Sequence, residues 1–155
     1  YHPFLRESRP QEMEFLRRLV LTRSRAHEYL CRGEMLRSPD IRSDTLEIDN
    51  SKISLYAGRA GDMLTQRKLK VPALQFGTWR SPEGGVAIAV SNISESDQPL
   101  EFSFDAGGYG LRDHYEVAVI DCTGRRVLMD CRSGKANVAV NVCGLDTVIL
   151  EFKQL

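Results

Sequence analysis

The chain has 155 residues, 42% hydrophobic and 27% charged, the composition of an ordinary soluble globular protein long enough for a core of its own. Its 21 basic and 21 acidic side chains cancel, which argues against the electrostatic footprint of a nucleic-acid binder. No apolar run approaches the ~18 residues of a membrane span and no signal-peptide pattern is visible, so neither nucleic acid nor membrane is expected as a partner.

The first residues, Tyr1-His2-Pro3-Phe4, start without Met, which reads as a fragment of something longer. A lead-in over residues 1–9 precedes one convincing helix, Gln11 to Arg32. Met13, Leu16, Leu19, Val20, Ala26 and Leu30 recur at three- and four-residue steps, with Arg17, Arg18, Arg25 and Glu28 elsewhere on the wheel. Pro10 suits the entry, and Gly33 offers a positive-φ stop. The stripe is expected to dock on the rest of the chain through Leu16, Leu19, Val20 and Leu30, with pairing of two copies through the helix as the alternative. Glu34 to Pro39 reads as a connector.

From Asp44 the period changes to two. Leu46 and Ile48, then Ile53 and Leu55, fit short strands on either side of Asp49-Asn50-Ser51, and the polar stretch Gly58 to Lys70 reads as a loop. A hairpin follows over Ala73 to Asn92. Pro82 fixes φ at the first turn position and Gly84 takes positive φ, so a type I turn with a glycine bulge sets Ser81 opposite Gly85. Arg80 then faces Val86, Thr78 faces Ile88 and Phe76 faces Val90 on a bulky core face. Trp79 and Gly77 face Ala87 and Ala89, placing the single Trp above a floor of small residues.

Leu100, Phe102 and Phe104 alternate with polar residues in a half-buried strand, and Ala106 to Gly110 is a loop. In the last third, the turn at Asp121 to Arg125 sets Val117 opposite Met129 and Val119 opposite Val127. A second turn at Ser133-Gly134 sets Met129 opposite Val138 and Val127 opposite Val140, a three-stranded meander. Val148, Leu150 and Phe152 close the chain. The expected fold is mainly β: an antiparallel β-sandwich of about eight strands, residues 41–155, after one long N-terminal helix within residues 1–40.

Few residues invite chemistry. His2, His27 and His114 are scattered, and no metal or cofactor site is expected. Asp62, Glu83, Glu95, Asp97, Asp105, Asp113 and Glu116 fall mostly in turns or on polar faces, whereas a glycosidase needs two carboxyls about 5 to 10 Å apart in a cleft. Gly58-Arg59-Ala60-Gly61 and Gly107-Gly108-Tyr109-Gly110 lack the context of a phosphate loop and read as turns. Asn92-Ile93-Ser94 matches a glycosylation sequon at a strand end. Cys31, Cys122, Cys131 and Cys143 have no metal-like spacing, and the hairpin places Cys122 and Cys131 too far apart to bridge; a pairing of Cys143 with another Cys stays open, but free thiols are expected, with a lean to a reducing, cytoplasmic compartment. The aromatics leave two readings. Trp79 with Tyr56, Tyr109 and Tyr115 could form a sugar-stacking platform, or Trp79 is a packing anchor beneath the helix or the connector after Gly33.

Two segments carry a resemblance. Leu16-Arg17-Arg18-Leu19-Val20 through Arg23, His27, Tyr29, Leu30 and Gly33-Glu34-Met35-Leu36 resembles the final barrel helix of α-galactosidase-like (β/α)8 glycoside hydrolases and its "YL–G–ML" exit. Gly77-Thr78-Trp79-Arg80-Ser81-Pro82-Glu83-Gly84, with Ile88, Val90 and Asn92, is similar to the "W-R-S-P-x-G…V-x-N" hairpin of the sandwich that follows in such enzymes. A bacterial group of uncharacterised glycosidase-like barrel proteins is the nearer match. The resemblance implies a C-terminal accessory piece of a carbohydrate-active enzyme, residues 1–40 being the end of a barrel domain and the missing catalytic barrel its partner. It carries over no catalytic residue, because that family's carboxylates lie on barrel strands this sequence does not contain. The alternative function is a carbohydrate-binding module using Trp79 and nearby Tyr; a stand-alone esterase or hydrolase would need a Ser/His/acid cluster that the spacing does not suggest.

Overall fold

The computed structural model describes residues 8–52 and 65–155. Pro10 occupies the first turn of helix α1, Pro10–Arg25, where its missing N–H costs nothing. The expected single helix to Arg32 is broken: Ala26 adopts φ −102° and ψ 25°, and a separate turn, α2, runs from His27 to Leu30. Neither Pro nor Gly causes the break. Ala26 is fully buried against the sheet, and the kink turns Tyr29 inward, where it is 1% exposed. Gly33 does end the helical region, with its N–H on the Tyr29 carbonyl at 3.0 Å. Positive φ is not its role, for the positive-φ glycines among the described residues are Gly84 and Gly110. Gly33 is instead squeezed between backbones: a Cβ there would collide with the Tyr29 carbonyl and lie 2.7 Å from the Arg80 carbonyl oxygen.

The fold is mainly β, with ten strands among the described residues rather than about eight. They are β1 Glu34–Leu36, β2 Thr45–Lys52, β3 Thr65–Pro72, β4 Leu74–Arg80, β5 Val86–Asn92, β6 Gln98–Asp105, β7 His114–Ile120, β8 Arg125–Arg132, β9 Lys135–Val142 and β10 Asp146–Gln154. Six form an antiparallel sheet in the order β1-β4-β5-β10-β7-β8; β6 pairs with β9, and β2 with β3. The connector after Gly33 therefore begins with an edge strand, Met35 lying opposite Trp79.

The β4–β5 hairpin has the register its turn residues dictate, Phe76 to Val90, Gly77 to Ala89, Thr78 to Ile88, Trp79 to Ala87 and Arg80 to Val86. Gly84 sits at φ 89°, and Ser81 donates its N–H to the Gly85 carbonyl at 2.8 Å. Val86, Ile88 and Val90 are fully buried, but Phe76 is 39% exposed. Strand β1 covers only Thr78 to Arg80, so Phe76 lies on an open edge.

Three strand expectations fail, the first two because alternation identifies a face, not a partner. A bulge between Val117 and Ala118 sets Val127 opposite Ala118 instead of Val119. After Ser133-Gly134 the chain crosses to the other layer, so β9 pairs with β6, Val138 opposite Phe102 and Val140 opposite Leu100, and the meander stops at two strands. Strand β2 runs straight through Asp49-Asn50-Ser51, and β3 occupies residues 65–70 of the expected loop. That strand looks polar because Lys68 and Lys70 stand on one face, where Lys68 Nζ meets Glu47 at 2.7 Å. Residues 58–64, Ile53 and Leu55 lie outside the described residues.

The main core fills the space between the layers. Val86, Ile88, Val90, Val117, Val119, Leu150 and Phe152 face Leu100, Phe102, Phe104, Ala136, Val138 and Val142. Phe104 stacks on Phe152 with ring centroids 3.7 Å apart. A smaller cluster of Ala26, Tyr29, Ala87, Ile120 and Ile149 lies on the other side of the six-stranded sheet, beneath the helices. Helix α1 does not dock through Leu16 and Val20, which are 39% and 50% exposed; Thr22 is its buried residue, its hydroxyl reaching the Thr147 carbonyl at 3.5 Å. Leu19 is half-buried, and Leu30 packs on the smaller cluster. The helix offers two faces, and the sheet takes the one with small and polar residues because Arg18 also finds Asp146 there, at 3.4 Å.

Candidate functional site

The two motif segments noted in the sequence meet in one place. Strand β1 pairs with the end of β4, Gly33 touches the Arg80 backbone, and a Cβ on Gly85 would lie 2.7 Å from the Tyr29 hydroxyl. Tyr29 therefore caps the hairpin mouth only because Gly85 has no side chain. Its hydroxyl donates to Glu151 Oε1 at 2.9 Å, while Arg125 Nε donates to Glu151 Oε2 at 2.6 Å. The same guanidinium bonds Glu116 through Nη2.

Glu151 is 3% exposed in the middle of β10, on the face it shares with Ile149. Both of its oxygens are engaged, so a buried carboxylate is held by one neutral and one charged donor. Burial, and next the Glu151 charge, push the Tyr29 phenol far above its ordinary value. The hydrogen bond to Glu116 leads the causes that raise Arg125. This arrangement ties α2, β7, β8 and β10 together.

Trp79 is half-buried beside this hub, packed against the helix-side cluster. Its indole lies flat over Gly77, where a Cβ would sit 2.6 Å from Cη2. Tyr109 and Tyr115 are elsewhere. Tyr109 ends a short 3-10 turn, Gly107–Tyr109, and stacks on Phe104 at 4.9 Å, with its hydroxyl donating to the Arg37 carbonyl at 2.9 Å. Tyr115 is fully buried in the main core. Its hydroxyl is the one buried side-chain polar atom without a hydrogen-bond partner among the described residues, and burial pushes it up to about 12. The sheet thus separates Trp79 from both tyrosines, and Tyr56 lies outside the described residues.

The remaining polar residues serve turns and rims. Asp97 accepts from Asn141 and from the Gly144 N–H, each at 3.0 Å, and Asp105 accepts from Gly107 at 3.2 Å. Glu83, Glu95 and Asp113 are exposed, while His2 and Asp62 lie outside the described residues. His27 is exposed, and His114 meets Asp130 at 3.0 Å. No group of three metal-binding side chains forms among the described residues. All four cysteines are unbridged. No described helix is long and apolar enough to cross a membrane.

The sequon at Asn92 is an internal anchor. Asn92 is fully buried, and its Nδ2 donates to the carbonyls of Ser96, Val142 and Cys143 at 2.8, 3.0 and 3.1 Å. Its Oδ1 accepts from the Ser94 N–H and hydroxyl at 2.9 and 2.6 Å. Sequence reasoning passed over Tyr29, Arg125 and Glu151. The available signal was a glutamate in the apolar run Val148-Ile149-Leu150-Glu151-Phe152 on a face otherwise carrying Ile149.

Three surface depressions, of 520, 460 and 360 Å³, lie away from Trp79: beside Glu14 and Leu145, beside Gly85 and Lys153, and beside Ser43 and Gln98.

No family model matches the sequence, and no curated protein matches it. Among solved structures, the chain is similar to the GH51 arabinofuranosidase from Xanthomonas axonopodis pv. citri, at 18% identity and a TM-score of 0.36, over 59% of this chain and 22% of that one. It is also similar to a GH30 endoxylanase from Clostridium papyrosolvens C71, at 9% identity and a TM-score of 0.35, over 58% of this chain and 23% of that one. The chain thus spans less than a quarter of either protein's length.

Proposed function

We propose that the chain is a non-catalytic accessory β-sandwich of a carbohydrate-active enzyme, a glycoside hydrolase, with its helical end forming the seam to a catalytic barrel. The observation that carries this reading is the junction of the two family-like segments. The helix exit Tyr29 to Leu36 and the hairpin Gly77 to Gly85 pack as one unit through Gly33, Gly85 and the β1–β4 pairing. Residues that resemble a family's motif at two separate places are in contact here, as a shared architecture requires. The resemblance supports a glycoside hydrolase in general; fold analogy does not name the sugar.

Within that reading Trp79 is a packing anchor. Its packing against the cluster of Ala26, Tyr29, Ala87, Ile120 and Ile149 favours this over a sugar platform, as does the separation from Tyr109 and Tyr115. Incubating the pure chain with a panel of aryl α- and β-glycosides tests the non-catalytic part, and no turnover is expected. Turnover abolished by substituting one of its carboxylates would overturn it. For the seam, where coding sequence precedes Tyr1, expressing it together with this chain should yield a glycosidase that loses stability when residues 34–155 are deleted.

A further inference from the structure

We infer that the outward stripe of α1, Met13, Leu16 and Val20, is a self-association surface that pairs with the same stripe of a second copy, the two helices antiparallel. The inference goes beyond the carbohydrate reading, whose seam is argued from Tyr29 to Leu36 and not from the outer face of α1, and does not depend on it. Thr22 marks the line that faces the sheet, since it is buried and bonded to β10. At 3.6 residues per turn, Arg18 and Ala26 lie about 40° to either side of it, while Leu16, Val20 and Met13 lie about 120°, 160° and 180° round. Leu16 and Val20 are 39% and 50% exposed, and Met13 beside them is half-buried. The spacing of three and four residues forms a ridge that another helix can accept.

Charge selects the occupant. The helix carries Glu12 in its first turn and Arg23 and Arg25 in its last. Glu12 and Arg23 stand on the same flank of the stripe, about 80° and 100° from Thr22. In an antiparallel pair related by a two-fold axis, like flanks meet. Centred between Leu16 and Val20, such a pair sets Glu12 of each copy beside Arg23 of the other, and Leu16 beside Val20. Helix dipoles oppose favourably in the same arrangement. In one copy Glu12 reaches only outward to Arg9, at 3.1 Å with both side chains more than half exposed, so it can exchange that bond. Arg17, which approaches its own mate at the centre, is neutralised by Glu14 through bonds of 2.7 and 2.8 Å. Three apolar side chains a side make a small interface, which places the association at the weak, reversible end.

Sedimentation equilibrium of the chain from micromolar to millimolar concentration tests this. The average mass should rise from 17.5 kDa toward twice that value. Val20→Glu, at an exposed site, should hold it at the monomer with an unchanged circular dichroism spectrum. Glu12→Arg or Arg23→Glu alone should weaken the dimer about three- to fivefold, and the two together should restore it. A monomer at every concentration overturns the inference. So does a dimer that survives Val20→Glu, which would move the contact to another surface such as Ile48 and Leu69, or a pair of charge swaps that fails to restore. Protection of Val20 in a longer, monomeric chain would overturn it too, by assigning the stripe to another segment.

Discussion

The hydroxyl of Tyr29 and the carboxylate of Glu151, 122 positions apart in the chain, meet at 2.9 Å beneath the helical end of the molecule. The bond joins the short helix His27–Leu30 to the strand Asp146–Gln154, and Arg125 holds the other carboxylate oxygen. Removing either donor leaves a buried acceptor unpaired. Tyr29→Phe should therefore cost about 1 to 3 kcal/mol, and Arg125→Ala, which strands a buried charge, about 3 to 5 kcal/mol. Urea denaturation measures both, and equal midpoints for wild type and Tyr29→Phe would show that the bond contributes nothing.

Gly85→Ala tests the same contact from below. The new methyl would lie 2.7 Å from the Tyr29 oxygen, which is pinned by Glu151 and cannot swing aside freely. The substitution should destabilise the wild type by about 1 to 3 kcal/mol and cost clearly less in a Tyr29→Phe background, where the oxygen is gone. Additive effects in this double-mutant cycle would contradict the packing described.

Tyr29, Tyr109 and Tyr115 all have phenols raised above the ordinary value of 10.0 by burial. Unfolded, they ionise near that value; folded, they resist. Stability from this source is complete below about pH 10 and is lost as the pH climbs through the folded values, which for Tyr115 is about 12. The denaturation midpoint should fall between pH 10 and 12, and more shallowly in Tyr29→Phe. A midpoint flat across that range would refute the assignment.

Trp79 is the chain's one Trp, so its fluorescence reads the anchor directly. Trp79→Ala should cost about 3 kcal/mol, at the lower end for a large aromatic because the ring is half-buried. Emission should be partly blue-shifted and indifferent to added oligosaccharides. Gly77→Ala, whose methyl would meet the ring at 2.6 Å, should shift the emission to the red by lifting the indole. A spectrum that moves with millimolar sugar would favour the binding-module reading instead.

Asn92→Ala removes the partner of three carbonyls and of the Ser94 amide, and should cost about 2 to 4 kcal/mol. Expressed in a glycosylating host, the wild type should keep its unmodified mass at Asn92, because the amide is wholly enclosed.

What the sequence makes legible is what short-range chemistry decides. Pro82 and Gly84 fix the turn, and parity then fixes every pair from Phe76 to Arg80. The alternation of Leu100, Phe102 and Phe104 likewise gives the buried face of β6. Long-range choices are different. The apolar face of Val138 and Val140 would suit either layer, and only the need of β6 for a partner sends β9 across. The stripe of Leu16 and Val20 advertises burial, yet the sheet takes Thr22 and Ala26, whose small side chains allow close approach. The kink at Ala26 and the hub at Glu151 depend on Tyr29 reaching a strand more than a hundred residues later, which no local window contains.

Strand order also sets a timetable. Asp146–Gln154 follows every other described strand in the chain, yet it lies between β5 and β7 within the six-stranded sheet. While a ribosome is still extending the chain, β4 and β5 can pair with each other, and so can β7 and β8, but the two halves have no common edge. Each half exposes an unpaired strand flank, a hazard for association with neighbouring nascent chains. The sheet closes only when residues 146–154 clear the exit tunnel and slide in as the keystone, so the newborn chain stays sticky until that stretch emerges.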